Sequence, residues 1–89
     1  MITREMTITN KLGLHARAAS KFVAEAQRFG SDISVDHNGK SVNAKSIMSV
    51  MLLAATQGTV LKVSADGGDE ADALDAIESL LAARFGEDE

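Results

Sequence analysis

The spacing of apolar residues switches several times along this chain, and each switch predicts an element. Met6 and Ile8 alternate with Thr7 and Thr9, the two-residue period of a strand with one buried face. Residues 16–29 then repeat at helical spacing. Ala19, Phe22, Val23, Ala26 and Phe29 fall on one side, Arg17, Lys21 and Arg28 elsewhere, and Gly30 is placed to end the helix. Ile33 and Val35 alternate with Asp32, Ser34 and Asp36 as a second strand. Asn38-Gly39 predicts a type I′ hairpin into a third strand over Lys40–Asn43.

Ser46 can cap a short helix over 47–55, closed by Gln57-Gly58. Leu61, Val63 and Ala65 alternate with Val60, Lys62 and Ser64 as a fourth strand. Asp69 caps a last helix carrying Leu74, Ile77, Leu81 and Phe85, with Gly86 beyond. Glu70, Asp72, Asp75 and Glu78 read as its solvated face, and the acidic stretch 86–89 is expected to fray. The order is β-α-β-β-α-β-α. Strands polar on one side imply a sheet wet on one face and covered by helices on the other, an α+β open-faced β-sandwich.

Composition narrows the field. The 89 residues contain no internal repeat or linker and predict one domain over 1–89. Without cysteine there is neither a disulfide nor a thiolate metal site. Two histidines, His15 and His37, lie 22 positions apart with no acidic cluster at ligand spacing, so no metal is expected. His37, beside the hairpin turn, reads as a solvated residue. No apolar run approaches the length of a membrane span and no secretion signal is evident, which predicts a cytoplasmic protein that does not enter membranes. A net charge of −4, three Phe and neither Trp nor Tyr argue against nucleic acid as a partner.

The chemistry concentrates at Asn10-Lys11-Leu12-Gly13-Leu14-His15-Ala16-Arg17. His15 stands at the predicted N-cap of an alanine-rich helix with no Ser, Thr, Asp or Asn beside it to cap the first N–H groups. Gly13 permits a positive φ and a sharp turn into the helix. Arg17, in the first turn, is a poor choice beside a positive helix end unless an anion compensates both charges. The pattern is wrong for helix stability and right for a phosphoryl group. The imidazole of His15 would be the nucleophile, the N–H groups of Ala16 and Arg17 would hold the phosphoryl oxygens, and the Arg17 guanidinium would add a charge-assisted fork. Such transfer needs positioning and charge neutralisation, so a small carrier suffices and no cofactor is called for.

At Gly13-Leu14-His15-Ala16-Arg17 and Lys45-Ser46-Ile47-Met48-Ser49-Val50, and in length and element order, the whole chain resembles the HPr family. These are the histidine phosphocarriers of bacterial phosphoenolpyruvate-dependent phosphotransferase systems. The resemblance implies a four-stranded antiparallel sheet with three helices on one face. It implies a stoichiometric carrier and not an enzyme, with His15 phosphorylated on Nδ1 by enzyme I and discharged to an enzyme IIA component. It further implies that Ser46 is the regulatory serine modified by HPr kinase/phosphorylase where that enzyme exists. The chain departs from the family at Ala18, where proline is usual; alanine gives up some rigidity and restores an N–H near the anion site.

The second predicted helix is too apolar for one buried face. Val50, Leu53 and Ala54 can share a core stripe, leaving Ile47, Met48 and Met51 towards solvent. Flexible methionines suit a surface that must accept several partners. Ile47, Met48 and Met51, with Lys21 and Lys45 as basic neighbours, are therefore the expected docking residues. A monomer is expected, since a carrier must expose His15 to each partner in turn. Two other readings compete: a regulatory interaction module centred on Ser46, and a ferredoxin-like ligand-binding domain, which shares the order β-α-β-β-α-β. His15 and Arg17 together favour the carrier. Whether it serves sugar uptake or a nitrogen-related branch is not encoded in these motifs.

Overall fold

A computed structural model describes residues 1–89. Four strands, β1 (Ile2–Thr7), β2 (Asp32–His37), β3 (Lys40–Asn43) and β4 (Val60–Asp66), form one antiparallel sheet in the order β1-β4-β2-β3. The register places Met6 opposite Leu61, Val35 opposite Val63 and Ile33 opposite Ala65. That alternation sends all six side chains to one face, where each is buried. The opposite face carries Thr3, Glu5, Lys62 and Ser64, and the Thr3 and Ser64 hydroxyls bond at 2.8 Å across β1 and β4. Asn38 and Gly39 have φ values of 51° and 79°, the left-handed pair that a type I′ turn requires.

Three helices cover the apolar face: α1 (Ala16–Gln27), α2 (Ile47–Leu52) and α3 (Glu70–Ala82). From α1, Ala18, Ala19, Phe22, Val23 and Ala26 are buried; from α3, Ala73, Leu74, Ile77 and Leu81. They meet the sheet in a single cluster of 22 buried hydrophobic residues. Phe22 is completely buried, and side chains of that kind each contribute about 1.5–3 kcal/mol.

The helix ends differ from the sequence expectation in ways that matter for the site. Helix α1 stops at Gln27 through two tight i→i+3 bonds, Arg28 N–H to Glu25 O and Phe29 N–H to Ala26 O, so Gly30 is not the terminating residue. Helix α2 ends at Leu52 and not at 55. Ala54 takes a left-handed φ of 49°, which costs about 1 kcal/mol for a residue with a Cβ. That turn brings the Ala55 carbonyl to the Leu14 N–H at 2.9 Å and leaves Ala54 exposed, with Ala55 buried in its place.

Asp69 does not cap α3 with its side chain. Its carboxylate reaches back to the turn before β2 and accepts from the N–H groups of Gly30 and Ser31, at 2.9 and 3.0 Å, and from the Ser31 hydroxyl. Those bonds hold its pKa below the usual carboxylate range, the Ser31 hydroxyl being the largest cause. Asp75 and Glu78 are not simply solvated either: both accept from the Arg4 guanidinium, at 2.8 and 3.0 Å, and tie α3 to β1. Phe85 lies outside α3, in a left-handed turn over Arg84–Gly86 with φ values of 54°, 55° and 79°, and there it is fully buried.

Candidate functional site

His15 owes its position to the turn before α1. Gly13 has φ 68°, and its backbone lies so close to the α2–β4 loop that a Cβ would come within 2.4 Å of the Ala55 carbonyl oxygen. Leu14 is buried beneath the turn, and Asn10, fully buried, donates from Nδ2 to the Gly13 carbonyl at 2.8 Å. His15 follows as the N-cap with extended backbone, φ −72° and ψ 176°, and its side chain makes no capping bond. The first helical bond runs from the Ala19 N–H to the His15 carbonyl at 2.8 Å. The N–H groups of Ala16, Arg17 and Ala18 precede it and point out of the helix start, where partial positive charge collects.

Arg17 is exposed and makes no ion pair, unlike Arg4 and Arg28, which are tied to carboxylates. Its first turn holds no acidic residue. The helix start thus presents an imidazole, unpaired backbone donors and an unpaired guanidinium to the same side. An anion with three or four oxygens can be met there by all of them.

The segment after Gly86 is not frayed but folds against this site. Glu87 Oε2 lies 2.5 Å from His15 Nε2, and Glu87 Oε1 accepts from Asn10 Nδ2 at 3.1 Å. The Lys11 N–H donates to the Glu89 carbonyl at 3.0 Å, the Lys11 ammonium lies 3.3 Å from the Glu89 carboxylate, and Arg84 Nη1 donates to the Asp88 carbonyl at 2.9 Å. The Asn10 amide first, and His15 second, hold the Glu87 carboxyl below the usual glutamate range. Between the two segments lies an open cleft of about 430 Å³, with Lys11, Leu12, His15 and Arg17 on one side and residues 87–89 on the other. A hollow of about 510 Å³ over Ser34, Ser41, Asn43 and Ser64 contains no histidine and lies on a different part of the surface.

Asn10 and Glu87 were invisible as site residues in the sequence, because they meet His15 only through the fold. Asn10 carried one signal, its place two residues on from the alternating buried pair Met6 and Ile8. Glu87 carried none: it stands 72 positions from His15 in an acidic stretch.

Ser46 is the N-cap of α2. Its Oγ accepts from the Ser49 hydroxyl at 3.0 Å and from the Ser49 N–H at a long 3.5 Å, so the cap is weak. Beyond it Ile47, Met48, Met51 and Leu52 are exposed, and Leu12, from the turn before α1, is exposed as well. The two lysines expected beside them are engaged in structure: Lys21 Nζ donates to the Phe85 carbonyl at 2.6 Å and Lys45 Nζ to the Phe29 carbonyl at 2.8 Å. No group of three or more His, Asp or Glu side chains is placed to hold a metal ion, and no helix is long and apolar enough to cross a membrane.

The molecule is an open-faced sandwich with a histidine at an uncapped helix start and an unpaired arginine two residues on, an arrangement chemically suited to an anionic group such as phosphoryl. The family model described as PTS HPr component phosphorylation site matches residues 2–83. The chain is 53% identical over 88 residues to phosphocarrier protein HPr of Xylella fastidiosa, covering 99% of each chain. Among solved structures it superimposes on HPr of Thermoanaerobacter tengcongensis with a TM-score of 0.96 and 47% identity over 100% of both chains. An HPr dimer from that organism matches with a TM-score of 0.79 and 50% identity, over 92% of this chain and 94% of that one. The chain belongs to the HPr family of phosphotransferase-system phosphocarriers.

Proposed function

We propose that this chain accepts a phosphoryl group from phosphorylated enzyme I on His15 and passes it to an enzyme IIA component, in a sugar or nitrogen-related branch of the phosphotransferase system. It acts as a stoichiometric relay, turning over nothing of its own. The observation that carries this reading is the half-exposed imidazole of His15 beside the unpaired Arg17 at an uncapped helix start. The N–H groups of Ala16 and Arg17 hold the phosphoryl oxygens and the Arg17 guanidinium neutralises their charge.

The exposed Ile47, Met48 and Met51 form the surface on which both partners seat, with Lys21 and Lys45 adding positive charge to steer acidic faces. Ser46 stands at the edge of that surface. Phosphorylation there by HPr kinase/phosphorylase, where that enzyme is present, adds up to two negative charges among apolar contacts and so opposes docking. The chain works in the cytoplasm as a monomer, because both partners need the same face.

The onward step is tested by discharge. Chain phosphorylated with enzyme I and labelled phosphoenolpyruvate is isolated and mixed with enzyme IIA from the same organism. Label moving to enzyme IIA within seconds supports the relay; label that stays on the chain, or leaves only as inorganic phosphate, contradicts it. Size exclusion at micromolar concentration checks the monomer, and elution as a dimer contradicts that part.

A further inference from the structure

The contact between Glu87 and His15 is the most elaborately held feature of the surface that the carrier chemistry leaves unused. The chain leaves α3 through three consecutive left-handed residues, Arg84, Phe85 and Gly86, two of which carry a Cβ. Burial of Phe85 and the bond from Lys21 Nζ to its carbonyl hold that turn. Arg84 then grips the Asp88 carbonyl and Lys11 the Glu89 carbonyl. The Glu87 side chain, 14% exposed, is delivered to His15 Nε2 at 2.5 Å with its second oxygen on the buried Asn10 amide.

An ionised carboxylate can only accept hydrogen bonds, so the ring nitrogen facing it must carry a proton. In a neutral imidazole the proton on Nε2 leaves the lone pair on Nδ1. We propose that Glu87 is a positioning residue for His15: it selects the tautomer protonated at Nε2, fixes the ring with Nδ1 free as the nucleophile, and offsets the charge that phosphorylation creates. The proposal rests on the carrier reading of His15.

The step balances without a proton transfer. The Nδ1 lone pair forms the bond to phosphorus, and the bond between phosphorus and the donor breaks with its electron pair leaving on the donor. The Nε2 proton stays in place. The ring, neutral before transfer, becomes an imidazolium whose positive charge lies against the Glu87 carboxylate. The same contact keeps Nε2 protonated, so that when the phosphoryl group moves on the bond between phosphorus and Nδ1 breaks, its electron pair returns to Nδ1 and a neutral imidazole is left.

The experiment uses the full chain as wild type, Glu87→Ala and Glu87→Gln. Long-range proton–nitrogen spectra of the His15 ring, recorded with the ring neutral, report the tautomer, and quench-flow with phosphorylated enzyme I reports the rate of acceptance. Alanine removes the acceptor. The two ring-nitrogen shifts should converge as tautomers mix, and acceptance should slow roughly tenfold, the low end for losing a carboxylate that orients a working histidine. Glutamine keeps one acceptor oxygen, for which the Asn10 amide and the His15 Nε2–H compete, so its shifts should fall between those of wild type and Glu87→Ala and it should recover part of the rate.

Ring shifts in Glu87→Ala identical to those of wild type would overturn the proposal. A faster acceptance in that variant would overturn it too, showing the carboxylate to be an obstacle in the phosphoryl site. Backbone amide spectra of each variant verify that the fold is intact. Were wild type to accept no phosphoryl group, the carrier reading would fall, while the ring shifts would still show whether Glu87 sets the tautomer.

Discussion

Gly13 and Ala55 touch backbone to backbone: a Cβ on Gly13 would stand 2.4 Å from the Ala55 carbonyl oxygen and 2.9 Å from the Cα of Thr56. The same carbonyl accepts the Leu14 N–H at 2.9 Å. The turn that presents His15 is thereby clamped to the loop after α2, which links the candidate phosphoryl site to the apolar surface beside it. Gly13→Ala is expected to destabilise the chain by about 2 kcal/mol or more, from the left-handed φ and the forced separation of two backbones. Chemical denaturation checks this, and an unchanged midpoint would contradict the clamp. Acceptance of a phosphoryl group should fall as well, since the His15 turn moves.

Arg17 is exposed and unpaired, so its replacement removes chemistry without removing packing. Arg17→Ala should keep the parent melting temperature and slow phosphoryl acceptance by about 100-fold, the scale of losing one donor to transition-state charge. Arg17→Lys should recover part of the rate, since it restores the charge but not the planar fork. A rate equal to wild type in the alanine variant would remove Arg17 from the site.

Asp69 ties the start of α3 to the Gly30–Ser31 turn, with its carboxylate held below the usual range by those hydrogen bonds. A carboxyl whose pKa is lowered on folding contributes stability above its ordinary value of about 4, and that contribution fades as pH falls through the depressed folded value. Asp69→Asn should therefore lower the melting temperature at pH 7. The gap from wild type should narrow below about pH 4. A gap that is constant from pH 7 to pH 3 would show that ionisation of Asp69 is not what matters.

Ala18 precedes the first helical hydrogen bond, from Ala19 to His15, so a proline there breaks none of the bonds of α1. Ala18→Pro, which restores the usual family residue, should still be phosphorylated and should melt at or above the parent temperature. Loss of acceptance in a folded variant would mean that the N–H of residue 18 serves the phosphoryl group directly.

Element type and order were legible because each element has one strong period. The Ile33–Val35 and Leu61–Ala65 alternations and the Phe22 stripe of α1 lie where expected, whereas β1 runs Ile2–Thr7 and leaves Ile8, though buried, beyond its end. His15, Arg17 and Ser46 were legible as candidates because each breaks or makes a local helix rule. Element ends were less so: α2 stops at Leu52 because the chain must turn back to meet Leu14, a tertiary demand that overrides the apolar run to Ala55. Residues 87–89 looked free because little that is local holds them beyond the bonds with Arg84. Asn10, Lys11 and His15, which do, lie at the other end of the sequence.

The most direct test of the account is the intact mass of the chain after incubation with phosphoenolpyruvate, magnesium and purified enzyme I, for wild type and His15→Ala. Wild type should gain one acid-labile phosphoryl group and His15→Ala none. A folded wild type that gains no mass, or a His15→Ala variant that gains the same phosphoryl group, would contradict it.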